Sequence, residues 1–214
     1  SYNGPWGQQV WHQHANGSYY YGLFWGGMPD LNYNEPAVYN EVIDISRFWL
    51  QDMEVDGFRL DAVKYIYEEN EQLENLQTTY DFWNRYNTDL KTIKGSSLTV
   101  GEAWDNTDVV VNYVNGGLDF CFEFDLATSM LNGVTVPSPS LVIQKMNEVK
   151  QSYPYHRYGV FLSNHDQDRS FNRFNQNLDN AKLAAAVYLT LPGVPFIYYG
   201  EEIAMRGVRP DDIN

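Results

Sequence analysis

The sequence predicts an α/β protein whose strands run parallel and are joined by helical crossovers. Segments with an apolar period near 3.6 alternate with short apolar runs, and five of those runs have strand character. No low-complexity linker or short repeat interrupts the alternation. An open doubly wound sheet and part of an eight-stranded barrel both fit this pattern. No Gly-rich phosphate loop follows any of the runs, which weighs against nucleotide binding.

Residues 1–33 are rich in Gly, Trp, Tyr, Asn and Gln without sustained periodicity, and they predict an irregular loop region. Asn34 followed by Pro36 marks a helix start, with Asn34 as the cap and Pro36 in the first turn. Val38, Val42, Ile45 and Trp49 then recur at helical spacing, and "VDGFRLDAV" follows as a strand. Leu73, Leu76, Tyr80 and Trp83 share the next helical stripe, which ends at Lys91 and Lys94 near Gly95. "SLTVGEAW" and "LDFCFEFDLA" are predicted strands, "LVIQKMNEVK" a helix and "YGVFLSNHD" a strand. "DNAKLAAAVYLTL" is a helix, after which Pro192-Gly193 turns the chain into the last strand, "VPFIYYG".

With 43% hydrophobic residues, a chain of 214 can bury a real core. No apolar run approaches the length of a membrane span, and the start lacks a charged-then-apolar signal pattern. The chain begins without Met, so a leader or a whole upstream segment is expected to precede it. Fourteen basic against 28 acidic residues give a net charge of −14, which repels nucleic acid and anionic membranes; neither is an expected partner. A neutral polymer is indifferent to that charge. Cys121 is the only cysteine and leaves the compartment open, with an extracellular location favoured over the cytoplasm. Aromatic residues make up 16%, and clusters in polar context such as "SYYYGLFWGG" offer flat rings with a polar edge, suited to the apolar faces of sugars.

Three predicted strands end in acids: Asp61 in "FRLDA", Glu102 in "TVGEAW" and Asp166 in "LSNHD". In parallel α/β folds the C-terminal strand ends form the functional face, and different strands supply different groups to it. Three carboxylates there suit either a divalent metal with a separate Lys or His base, or a pair flanking a glycosidic bond. The local sequence favours the second. Arg59 and Asp61 share one face of a strand, so the guanidinium is expected to keep Asp61 ionised without a metal. Glu102 has Trp104 two residues on and no adjacent cation, so its carboxyl is expected to hold its proton more tightly. Opposed proton affinities are what a nucleophile and a general acid require.

"DGFRLDAVKYI", "TVGEAW" and "FLSNHDQDR" resemble three of the four short conserved regions of the α-amylase family, glycoside hydrolase family thirteen. "MPDLNYNEPAV" resembles a fifth region near the end of the domain inserted after the third barrel strand, and "GVPFIYYGEEI" resembles the last barrel strand. The resemblance implies a partial (β/α)8 TIM barrel, about strands four to eight, with residues 1–33 as the tail of the inserted irregular domain and 34–214 as the barrel portion. It implies Asp61 as nucleophile, Glu102 as general acid and then base, and Asp166 as the carboxylate that grips sugar hydroxyls. His165 is implied to bond beside it, Arg59 to orient the nucleophile, and Lys64 to line the leaving-group side. The implied chemistry is net retention at α-glucosidic bonds of starch-like glucans or maltooligosaccharides, with the two catalytic carboxyls roughly 5–5.5 Å apart. No cofactor is implied for the chemistry.

Tyr65 departs from the family's usual His after that lysine, which bears on the leaving-group subsite and on a structural calcium that the family binds through backbone there. The family's first conserved region and its downstream all-β domain have no counterpart. Five strands cannot close an eight-stranded barrel, so these residues alone are expected to be poorly soluble or inactive; soluble monomeric expression with starch-cleaving activity overturns that expectation. "MPDLN" resembles the branch between oligoglucosidases and neopullulanases, leaving endo and exo action open. Glucosyl transfer and a non-catalytic sugar- or partner-binding role are the alternatives. Trp104 and Tyr65 are candidate sugar platforms, and Arg169 either contacts substrate or fixes a loop. His12 and His14 have no clear third ligand for a metal. Glu123 and Asp125 alternate with Phe, and structural roles are expected for them and for Glu201 and Glu202.

Overall fold

The computed structural model describes residues 3–136 and 138–210, which form two compact units. The first comprises Ser1–Gly57 and Val63–Ser97. Its early part is not an irregular loop, as the sequence predicted, but carries an antiparallel hairpin of β1 (Trp11–Gln13) and β2 (Tyr19–Tyr21). The turn centres on Ala15-Asn16, closed by the Gly17 amide donating to His14 O at 2.9 Å; Gly17 follows at φ +87°, the His14 amide donates to Ser18 O at 2.8 Å, and the Ser18 amide donates to Asn16 Oδ1 at 2.9 Å. Asn-Gly between aromatic residues is a hairpin signal, masked here by the loop-like composition around it.

Helix α1 (Pro36–Arg47) starts one residue later than expected, because Glu35 rather than Asn34 is its cap and accepts from the Ala37 amide at 3.4 Å. Its buried line is Tyr39, Ser46 and, in the wider π-helical turn that follows, Leu50; Ile45 and Trp49, placed on the stripe by spacing, are 50% and 42% exposed. The reason lies in helix α2 (Gln77–Ile93), whose polar atoms select the packing face. Tyr39 OH donates to Asp89 Oδ2 at 2.6 Å, and Ser46 Oγ meets Tyr86 OH at 3.0 Å. Those bonds turn α1 by about one residue, a rotation that a 3.6-residue period cannot distinguish from its neighbour. The predicted end of α2 is observed, with Lys94 as its C-cap.

The second unit, Phe58–Ala62 and Leu98–Asn214, carries the sheet. Its strands are β3 (Gly57–Leu60), β4 (Leu98–Gly101), β5 (Phe120–Phe122), β6 (Tyr158–Val160) and β7 (Val194–Pro195), in that spatial order. The β4–β5, β5–β6 and β6–β7 pairs are parallel, in register Gly101↔Cys121, Phe122↔Gly159 and Val160↔Pro195. A doubly wound sheet reverses its strand order at a switch point; this sheet does not, so it is a stretch of barrel wall.

The predicted strand over "LDFCFEFDLA" is cut short. Only Phe120–Phe122 is extended, and helix α4 begins at Phe124 and runs to Thr135. Phe124, Ala127, Leu131 and Val134 form a helical stripe of their own, which the alternation of Phe with Cys, Glu and Asp disguised. Helix α3 (Thr107–Asn115) precedes β5; α5 (Pro139–Ser152), a short α6 (Ser170–Arg173) and α7 (Leu178–Tyr188) complete the crossovers. Gly159 on β6 is closely covered: a Cβ there would sit 3.0 Å from the Phe196 ring and 3.1 Å from the Phe122 ring, which pack with centroids 4.7 Å apart, so the rings would have to give way to it. Gly193 turns the chain into β7 at φ +108°.

Candidate active site

Each of the three expected acids follows a strand of the second unit. Asp61 comes directly after β3, Glu102 directly after β4, and Asp166 six residues beyond β6. The strand ends are held in step by the Glu102 amide, which donates to Leu60 O at 2.8 Å. Arg59, on β3, donates from Nη1 to Oδ1 of the exposed Asp61. The i, i+2 spacing on an extended strand makes that pair, as the sequence implied.

Glu102 is half-buried, and Oε2 accepts from the Ala62 amide at 2.9 Å. Its carboxyl is raised above the ordinary 4.5, first by burial; the Ala62 amide and the Arg59 charge oppose the shift, while the charges of Asp61 and Asp166 reinforce it. The Trp104 indole stacks on Phe124, with ring centroids 4.7 Å apart and planes 16° apart, and stays 49% exposed.

Ala62 escaped sequence reasoning. It adopts φ +47°, a left-handed conformation that a Cβ disfavours, and so turns its N–H toward Glu102. Only an unusual backbone marks it, and side-chain patterns carry no such signal.

His165 Nε2 lies 3.2 Å from Asp166 Oδ2. The Asp166 amide donates to Asn164 Oδ1 at 3.0 Å, a local turn that fixes its backbone. Arg169 is committed to protein: its guanidinium lies 4.2 Å from the ring centroids of both Tyr198 and Tyr199 and donates to Tyr199 O. A pocket of about 320 Å³ opens beside the acids, lined by Arg59, Phe122, Phe161, His165, Phe196 and Tyr198. An adjoining one of about 240 Å³ is bounded by Asp166, Gln167, Arg169 and Arg209.

Lys64 and Tyr65 fall in the first unit. Lys64 is buried and pairs with Glu74 at 3.0 Å. Tyr65 packs edge-on to Trp6 and Phe24 at 5.8 Å, and burial pushes its phenol up to about 12. Among the described residues no three His, Cys, Asp or Glu side chains gather as metal ligands. His12 Nε2 is 3.0 Å from Gly22 O and His14 Nδ1 accepts from the Asn16 amide, so both serve the hairpin. Glu123 is buried and accepts from Thr107 Oγ1 at 2.8 Å and Tyr153 OH at 2.7 Å; Asp125 pairs with Lys145 at 3.1 Å. Both acids are structural.

A monotonic parallel sheet with carboxylates gathered at its C-terminal strand ends is the active-site face of a (β/α)8-barrel enzyme class. Residues 2–213 match the α-amylase family, described as alpha amylase, catalytic domain. The chain is 40% identical over 207 residues to Alpha-amylase 3 of Dictyoglomus thermophilum, covering 95% of this chain and 40% of that protein. It is 32% identical over 204 residues to 4-alpha-glucanotransferase of Thermotoga maritima, covering 94% and 43%. The crystal structure of alpha-amylase from H. orenii superimposes with a TM-score of 0.86 at 38% identity, over 95% of this chain and 42% of that one. The chain therefore belongs to the α-amylase family and falls within its catalytic domain, and it spans about 40% of the length of the curated relatives it matches.

Proposed function

We propose that this chain carries the catalytic acids of a retaining glycoside hydrolase acting on α-1,4-linked glucans or maltooligosaccharides. One observation carries the reading: Glu102 is raised by burial and by its neighbours Asp61 and Asp166, while Asp61 accepts directly from Arg59. In this assignment Asp61 attacks the anomeric carbon as Glu102 protonates the departing glycosidic oxygen. Glu102, now ionised, takes a proton from the water that opens the glycosyl-enzyme, so the product keeps its configuration. Asp166, with His165 beside it, holds sugar hydroxyls as the ring flattens toward the oxocarbenium-like state. Trp104 serves as a sugar platform on its exposed face.

The test uses the full-length parent enzyme with maltooligosaccharides, following product anomers by NMR beside Asp61→Asn and Glu102→Gln. An α product is expected, with kcat down by about 10³-fold or more in each variant. A β product, or either variant at full rate, overturns the assignment. Identity to two 4-alpha-glucanotransferases, at 32% and 31%, supports a second reading in which a sugar hydroxyl replaces water in the second step. Longer glucans forming from maltooligosaccharides distinguish it.

A further inference from the structure

The segment after β7 returns to the loop that bears Asp166 and is tied to it at several points. The Arg169 amide donates to Gly207 O at 3.0 Å, and the Gly207 amide donates to Asn172 Oδ1 at 2.8 Å. Two residues on, the Arg209 amide donates to Asp168 Oδ1 at 2.8 Å, and Arg209 Nη1 donates to the Asp166 carbonyl at 2.9 Å. Arg209 thus closes a ring with residues 166–168, donating to them through both its side chain and its backbone amide. The Arg169 guanidinium holds the near end of the same segment against Tyr198 and Tyr199.

We propose that Arg209 is a positioning residue: it sets the Asp166 carboxylate by clamping the Asp166 backbone, with Arg169 and Asp168 anchoring the strap that carries it. A carbonyl held by a guanidinium and an amide held by Asn164 leave the Asp166 peptide little freedom on either side. Small displacements of a group that acts in the transition state cost rate steeply. The strap explains why Arg169 spends its donors on protein, and why Gly207 is followed so closely by a second arginine.

The inference rests on the role given to Asp166 above, and the experiment separates the two. In the full-length enzyme, Arg209→Met keeps length and removes the donor, and Arg209→Lys keeps one donor. Asp168→Ala releases the strap from its other side and serves if Arg209→Met folds poorly. Arg209→Met and Asp168→Ala are expected to lower kcat by about tenfold with KM within about twofold, and Arg209→Lys to recover most of the loss. In an Asp166→Asn background, neither change is expected to lower kcat further. Full kcat in both strap variants overturns the inference, and so does a loss that adds fully to that of Asp166→Asn. If Asp166→Asn itself is fully active, the role of Asp166 falls instead.

Discussion

At the residue scale, the proton affinity of Glu102 is set by its environment. Glu102 and Asp61 end neighbouring strands, yet one is half-buried and the other lies in solvent beside a guanidinium. A raised Glu102 stays protonated to higher pH than an ordinary carboxyl, which places the alkaline limb of the kcat/KM profile above the usual carboxylate range. Asp166 contributes to that elevation through its charge, so Asp166→Asn is expected to move the alkaline limb of its residual activity to lower pH. A pH–rate series on the two proteins measures it, and an unmoved limb contradicts the electrostatic coupling. Ala62 gives a second test at this scale. Ala62→Gly relieves the left-handed strain and leaves the N–H in place, so stability is expected to rise or hold, by up to about 1 kcal/mol in urea unfolding.

At the element scale, buried acids join helices to strands. Glu123 sits between β5 and α4 and takes bonds from Thr107 on α3 and Tyr153 after α5, so one carboxyl ties two successive crossovers. Glu123→Ala strands two buried hydroxyls and is expected to cost about 2–4 kcal/mol, read as a lower midpoint in denaturant. Glu201, on the turn after β7, accepts from Tyr188 OH on α7 at 3.4 Å, and burial raises it from 4.5 to about 6. A carboxyl raised by folding binds its proton more tightly in the native state. Its stabilising contribution is complete below 4.5 and is lost as pH rises through about 6. Thermal unfolding across that window is expected to show a fall in Tm that Glu201→Gln reduces; identical slopes for both proteins sink the prediction.

At the scale of the whole molecule, the charge of the chain is decoupled from the substrate proposed for it. A chain with 28 acidic and 14 basic residues repels anions, whereas a glucan carries no charge to repel. KM for maltooligosaccharides in the full-length enzyme is therefore expected to change less than about twofold between low and high salt. A steep salt dependence points to a charged substrate.

How much was legible follows the range of the interactions involved. The Arg59–Asp61 pair needs only strand geometry over three residues, so spacing disclosed it; strand existence and the acids at strand ends were equally local. The hairpin at Asn16-Gly17 was legible too, but a composition-based reading hid it. What sequence left open was long-range. Nothing in "FRLDAV" says that Ala62 must turn its amide to Glu102 forty residues on, or that Trp104 spends one face on Phe124. Nor does spacing choose Tyr39 and Ser46 over Ile45 and Trp49 as the buried line of α1, because hydroxyl partners on α2 make that choice. The sequence by itself determined the α/β class, the parallel strands and the placement of an acid after each of three strands, since these depend on periodicity and near neighbours. Tertiary structure alone decided the monotonic strand order, the burial that raises Glu102 and the strap from Arg209 to Asp166. Each arises from desolvation or hydrogen bonding between segments that only packing brings together.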